Sequence, residues 1–426
     1  MNSFLFRPSR RPAARPRFAF ASLLVLLLLA LSPAASAQYL IKGVTLDRDT
    51  KEPIPFVSIG VKGTTAGTTS NASGEFSLRV PTLPALLMVS ELSHQRDSVQ
   101  VTSANESLQI TLAAANIVLP EVEVKSYAAT LVTRAYAHMK RHYDQNFYGK
   151  AYYRQITRLD NDPTELQEMI WNVKSSNARI EGTSLAQARY AAKDAIINFR
   201  NFSFYTRAYG LYDARADSTK SLALLSPNVA DNYILEIGGI IQQGDRDVAE
   251  INFETSPKLT KYHAKGTVWI DVDNYKVARF HITTPTFTGT ANNPTYKFRN
   301  TKLEFDLVFQ NTPGPVSPLD HINTTLSFDI ERPGVKAKRM NVAAYTFFYE
   351  TGSTPGNAVY RRPALDENDL DEIRKTKYDP EFWANNPVVK RTPLEDEVAE
   401  SFEKKGAFGT MVKPKPAAPP VKRRGY

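Results

Sequence analysis

The chain of 426 residues contains no cysteine. That excludes disulfides, thiolate zinc sites, catalytic thiols and iron–sulfur ligation, together with a lipid-modified N-terminal cysteine. No G-x-S-x-G elbow, phosphate-cradling glycine loop or H-E-x-x-H pair occurs, so the sequence names no reaction. No segment after residue 37 is apolar enough to span a bilayer. Charge of one sign is scarce where it would matter. The formal net charge is +9, but Arg7, Arg10, Arg11, Arg15 and Arg17 supply five of those charges before residue 37, where there is no acid. Lys413, Lys415, Lys422, Arg423 and Arg424 supply five more at the other end, which leaves −1 for the body of the chain. A nucleic-acid-binding domain carries its basic patch on the folded part, so nucleic acid is set aside as a partner.

What is present begins with an export signal. Arg7 to Arg17 form a basic region, Phe18 to Leu31 an apolar core, and Ala35-Ser36-Ala37 a small-residue cleavage site. The apolar run is shorter than the roughly 20 residues that cross a bilayer, so residues 1–37 are expected to be a cleaved signal peptide, with the mature chain starting at Gln38. The mature chain is then expected in the periplasm or associated with the outer membrane, with secretion as the alternative.

Residues 38–124 carry short apolar runs separated by turn chemistry. The runs include Tyr39-Leu40-Ile41, Phe56-Val57-Ser58-Ile59, Phe76-Ser77-Leu78, Leu86 to Val89 and Leu108-Gln109-Ile110; the turns fall at Asp47 to Pro53, Gly63 to Gly67 and Asn71 to Gly74. Several short strands at this spacing predict a β-sandwich. The segments Gly43-Val44-Thr45-Leu46-Asp47, Glu52 to Ile59, Val61 to Thr64, Gly67 to Asn71 and Gly74 to Leu78 resemble the carboxypeptidase-regulatory-like (transthyretin/prealbumin-like) domain, which is common at the start of Bacteroidota envelope proteins. Leu119 to Val124 resembles the strand that usually follows it, and the pattern departs at Glu91-Leu92-Ser93-His94, where the family usually has an aromatic and a glycine. The resemblance implies a seven-stranded-type sandwich with no active site; carrying peptidase activity across would be fold analogy without a site.

Further along, Leu131, Ala135, Met139 and Tyr143 recur at helical spacing and predict a helix over 127–143 within a linker at 125–147. From Tyr148 to about Glu350 the pattern alternates as strands, with hairpin turns at Gly244-Asp245 and Asp273-Asn274, within a β-rich domain expected over 148–405. The hairpin from Gly266 to Ile282 resembles the meander of lipoprotein-carrier-like half-barrels and uncharacterised envelope proteins. The expected fold is therefore mainly β: a sandwich, then a larger curved antiparallel sheet with a few helices. Its apolar concave face is expected to be closed or partly plugged by the helices at 127–143 and 392–404 and to leave a cavity for an acyl chain or similar amphiphile, with Trp269→Ala weakening its binding, or else a free edge that pairs with a partner strand. Tyr378 to Trp383 reads as an aromatic plug, and Thr392-Pro393-Leu394-Glu395 as a capping box opening a helix that ends at 404. Residues 406–426 are basic and proline-rich and are expected to be disordered, with peripheral contact to anionic lipid as one use of the charge.

Candidate site residues are few. His138 and His142 share a helix face, but Met139, Lys140 and Arg141 lie between them, with no glutamate base. Asp271 with Asp273, and Asp47 with Asp49, lack the glycine and distal glutamate of a calcium loop and read as solvated turns. Trp171, Trp269 and Trp383 read as core rather than as a ligand groove. No catalytic, cofactor-binding or metal residue is assigned, and no cofactor is expected. The expected function is non-enzymatic: an exported envelope protein binding lipid, glycan or a partner protein. An envelope hydrolase of peptides or glycans, and an accessory protein of an outer-membrane receptor system, are the alternatives.

Overall fold

A computed structural model describes residues 39–119, 124–193, 195, 197, 199, 201–212, 221–244, 246–285, 295–364, 366–385 and 388–410. The expected signal peptide and the basic tail beyond residue 410 lie outside the described residues.

The sandwich has seven strands in two sheets. β1 (Tyr39–Asp47) runs antiparallel to β4 (Glu75–Val80) and parallel to β7 (Leu108–Leu112). The facing sheet has the order β3 (Gly67–Thr69), β2 (Ser58–Val61), β5 (Ala85–Ser90), β6 (Asp97–Val101). Ile41, Ile59, Phe76, Leu78, Leu87, Val89, Ile110 and Leu112 form its own dry core. The turns use the residues that their geometry requires. Asn71 Oδ1 accepts from the backbone of Ser73 at 2.9 Å and of Glu75 at 3.0 Å, and Gly74 takes φ +74°, where a side chain is disfavoured. Gly43 is needed for space, since a Cβ there would lie 2.6 Å from the Phe76 ring and 2.3 Å from the Leu108 carbonyl.

The second body is an eleven-stranded sheet, antiparallel throughout and not closed into a barrel. Its strands are β8 (Asn116–Val118), β9 (Phe147–Leu159), β10 (Asp162–Ser175), β11 (Ile180–Ala192), β12 (Tyr233–Gln242), β13 (Asp247–Thr255), β14 (Lys265–Asp271), β15 (Val277–Thr284), β16 (Lys297–Phe309), β17 (Leu319–Arg332) and β18 (Val335–Gly352). Strands β12 to β18 form a consecutive meander, and β9 closes on β18 so that β9–β10–β11 extend it. The chain enters at the other edge, where β8 pairs with β12. β8 ends at Val118, before the strand expected over Leu119 to Val124; of that stretch residues 120–123 lie outside the described residues, and Val124 opens a helix.

Strand alternation sorts the two faces. On one face Val268, Ile270, Phe280, Ile282, Phe305, Leu307, Leu326 and Phe328 are buried in a single cluster. Helix α1 (Val124–Arg141) presses Ala128, Leu131, Val132, Ala135 and Met139 into that cluster. The segment around the short helices α2 (Ser203–Ala208) and α3 (Val229–Asn232) adds Phe202, Leu211, Tyr212, Leu224 and Leu225. Tyr209 stacks on Phe305 with ring centroids 4.1 Å apart. The expected apolar cavity is accordingly corrected: among the described residues the apolar face is filled by the chain's own side chains, because the long β11–β12 connection folds onto it. Trp269 is corrected as well. Its neighbours Val268 and Ile270 take the inner positions, so Trp269 faces outward, packed on the cluster of Ile241, Val248 and Ala278 and beneath Arg279.

Four helices follow the sheet: α4 (Asp369–Ile373), α5 (Pro380–Asn385), α6 (Pro393–Lys404) and α7 (Ala407–Thr410). The capping box forms as the sequence predicts, with Glu395 N donating to Thr392 Oγ1 at 3.2 Å and Thr392 N to Glu395 Oε2 at 2.8 Å. Val398, Ala399, Phe402 and Phe408 pack on Ile156, Leu166 and Ala191, so packed structure reaches past the expected boundary at 405. Residues 378–385 and 388–410 form a strap over the outer face of β9–β11. Among the described residues no helix is long and apolar enough to cross a membrane.

Candidate binding cleft

The sandwich docks on the outer face of the large sheet, and between them lies a cleft of about 760 Å³. Alternation in two short strands makes its floor. Ile59 and Val61 of β2 point into the sandwich core, so Ser58 and Gly60 point out; across from them on β5, Ser90 and Met88 do the same. The opposite wall carries Arg279, Asp306, His321 and Tyr349 from β15 to β18.

Three contacts hold the cleft open at a fixed width. The first is the loop Glu91 to Gln95, where the sequence departs from its family pattern. Gln243 Nε2 donates to the carbonyls of Glu91, Leu92 and His94 at 2.9, 2.8 and 3.0 Å. Gln95 Nε2 donates to the Gln242 carbonyl at 2.8 Å, and Leu92 packs on Ile241, Val248 and Ala278. The departure is thus the docking surface of the sandwich. The second contact is Ser58 Oγ donating to Asp320 Oδ2 at 2.7 Å. Beside it Phe56 stacks on Tyr345 with centroids 5.4 Å apart, and Tyr345 bonds Thr69 through their hydroxyls. Phe56 holds φ +57°, a conformation costly for a bulky residue that its stacking offsets. The third is the strap: Thr68 Oγ1 donates to the Val388 carbonyl at 3.2 Å and Lys390 pairs with Glu75 at 3.0 Å.

Several charges in the cleft are paired. Arg279 forks onto Asp306 at 2.8 and 2.9 Å, and Arg246 bonds Asp271 at 2.8 Å. His94 bridges two carboxylates, with Nδ1 2.6 Å from Glu91 and Nε2 3.1 Å from Asp47. The hydrogen bond to Glu91 raises the His94 pKa above its usual value, against burial. Asp47 is lowered to about 2, first by the backbone N–H of Thr50 and Asp49. A raised folded-state pKa gives stability that is complete below about pH 6.5 and is lost as pH rises through the folded value. The thermal midpoint is therefore expected to fall between neutral and mildly alkaline pH, and His94→Gln is expected to flatten that part of the profile. A slope unchanged by His94→Gln would refute the assignment.

Ser58, Asp320 and His321 invite comparison with a nucleophilic triad. The order is wrong for one, because Asp320 Oδ2 accepts from Ser58 and also lies 2.7 Å from His321 Nδ1. A serine is activated only when the imidazole stands between hydroxyl and carboxylate. These three residues act in docking.

The residues singled out in the sequence do not converge. His142 falls in the turn just past the end of α1 rather than on the helix, with its ring centroid 4.8 Å from that of His138. Burial, then the neighbouring His142 charge, lowers the His138 pKa, and among the described residues no group of three or more potential metal ligands forms. Asp271 is not a solvated turn residue as expected: it is buried, pairs with Arg246, and accepts from Asp273 N and Asn274 N at 3.1 Å each. Asp49 N donates to Asp47 Oδ1 at 2.8 Å in the other turn. Trp171 lies in the sheet interior beside Tyr153, and Trp383 lies in the strap over Arg189. The sequence reading missed Ser58, Gly60, Ser90 and Gln243. The available signal was the run of small residues at outward positions of β2 and β5, next to the 91–94 departure.

No curated protein matches the chain. A crystal structure of a DUF1329 family protein from Desulfovibrio piger is similar over 54% of this chain and 95% of that one, at 9% identity and a TM-score of 0.22; so slight a likeness supports no argument. Residues 41–124 match the family model for the CarboxypepD_reg-like domain, and the sandwich with which the described structure begins is a domain of that family.

Proposed function

We propose that this is an exported cell-envelope protein that acts by binding, and that the cleft between sandwich and sheet is where it binds an envelope component or partner. The observation that carries the reading is the cleft itself. Its volume falls within the range of about 300–1,000 Å³ typical of ligand sites, and it lies between two rigid sheets pinned by the three contacts above. Export is supported by the basic region, apolar core and Ala35-Ser36-Ala37 site. The mature protein recovered from an envelope fraction is expected to begin at Gln38; recovery with residues 1–37 attached would refute export by cleavage.

Gly60 supplies the test of the cleft. A Cβ built there meets nothing within 4 Å, so a large side chain projects into open space without disturbing the fold. Strands also tolerate aromatic residues well. Lipid, glycan and protein fractions of the envelope are to be passed over immobilised wild-type protein and Gly60→Trp. One fraction is expected to be retained by the wild type and released by the variant, with unchanged thermal stability. Equal retention by both would place binding elsewhere.

A further inference from the structure

We infer that the cleft takes an uncharged, hydroxyl-rich chain, that is, a neutral glycan. This rests on the cleft reading above and narrows it to one ligand chemistry. Three observations point the same way.

The first is charge. Arg279 and Asp306 form a bidentate pair, Arg246 is bonded to Asp271, and His94 is bracketed by Glu91 and Asp47. A charged ligand that drew on one of these pairs would leave its other member unpartnered in a half-buried setting, which is costly. Paired guanidinium and carboxylate groups still offer lateral N–H donors and oxygen lone pairs, which suit hydroxyl groups that both donate and accept. The second is the floor. Gly60 and Ser90, beside the Ser58–Asp320 contact, make a low shelf, open above Gly60, with room for a ring rather than a pocket for a branched apolar side chain. The third is the apolar contact that such a chain needs. Tyr349 and Phe56 line the cleft as half-buried aromatics, and Met88 is 46% exposed. Aromatic faces combine a broad apolar surface with little conformational entropy to lose, which suits the C–H faces of a sugar ring.

The test titrates full-length mature protein with two neutral tetrasaccharides, an N-acetylglucosamine tetramer and maltotetraose, and with phosphatidylglycerol vesicles and an acidic peptide for comparison. One of the neutral tetrasaccharides is expected to bind saturably. Its Kd should change less than about twofold between roughly 0.05 M and 0.5 M sodium chloride, because screening acts on charged partners. Gly60→Trp should weaken it at least about tenfold, whereas Gly60→Ala, adding one methyl in open space, should stay within about twofold. If instead the vesicles or the peptide bind, with steep salt dependence and loss in Gly60→Trp, the glycan inference is overturned while the cleft reading stands. If a tetrasaccharide binds equally well to Gly60→Trp, or none of the four probes binds, the inference is overturned, and in the first case the cleft reading falls with it.

Discussion

Replacing Glu168 with Gln is expected to cost about 3–5 kcal/mol of stability, the range for removing one partner from a buried ion cluster. Glu168 is fully buried on β10, and the sheet register places it directly between Arg154 on β9 and Arg189 on β11. Arg154 Nε lies 3.2 Å from Glu168 Oε1, Arg189 Nε donates to Oε2 at 2.6 Å, and Arg391 from the strap lies 3.4 Å from Oε2. Burial pushes the Glu168 pKa up, but the three guanidinium groups, Arg391 foremost, outweigh it and hold the carboxyl well below the usual range. With the charge gone, three cations face one another with Glu395, Glu403 and Asp396 as the acids that remain; these reach Arg154 at 2.9 Å, Arg189 at 3.0 Å and Arg391 at 3.4 Å. All three acids belong to α6, so the loss falls on the strap. The measurement is a denaturant midpoint combined with limited proteolysis. The variant should lose several kcal/mol and be cut first between Tyr378 and Thr410. A loss below about 1 kcal/mol, the scale of an exposed pair, would mean that the cluster does not hold the strap.

That cluster also shows where sequence reading stops. Arg154, Glu168 and Arg189 each sit at an outward position of an alternating strand, and charge at such positions reads as a solvent-facing surface. It is buried because α5 to α7 fold back over β9–β11, a contact between segments far apart in the chain that no local period encodes. Local signals were read well. The short apolar runs and the turns between them predict the sandwich, and Thr392 with Glu395 predicts a cap that forms. Helix α1 forms slightly earlier than expected, at 124–141 rather than 127–143, because beyond Arg141 the backbone passes into turns while Tyr143 still packs on Tyr212. Topology was not legible: β9 pairs with β18, so the first long strand after α1 joins the end of a meander that has not yet begun. The site was legible only as an anomaly. Glu91 to His94 departs from the family pattern because those residues contact the large sheet, a surface that an isolated sandwich does not need.

Phe280→Ala is expected to cost about 3–5 kcal/mol, as large-to-small changes of buried aromatics do, and to create an apolar void. Phe280 is 1% exposed on β15. Its ring lies 5.6 Å from that of Phe253 and 6.1 Å from that of Tyr209, which in turn stacks on Phe305. The four rings fill the apolar face at the point where a half-barrel would otherwise hold its ligand. The experiment therefore decides between two uses of one architecture. If the chain's own side chains are the filling, wild-type protein binds no small apolar probe there. The Phe280→Ala void, lined by aromatic and aliphatic groups and so left dry, should then bind benzene or xenon, as engineered apolar cavities do, and recover part of the lost stability in proportion to RT ln(1 + [L]/Kd). If the face instead serves an apolar ligand, the order reverses: the wild type binds a hydrophobic dye stoichiometrically and Phe280→Ala binds it less. The stacking distances favour the first outcome, because a ring held against neighbours on both sides leaves no path for an acyl chain without unstacking them, and each such contact is worth about 0.5–1.5 kcal/mol beyond its buried area.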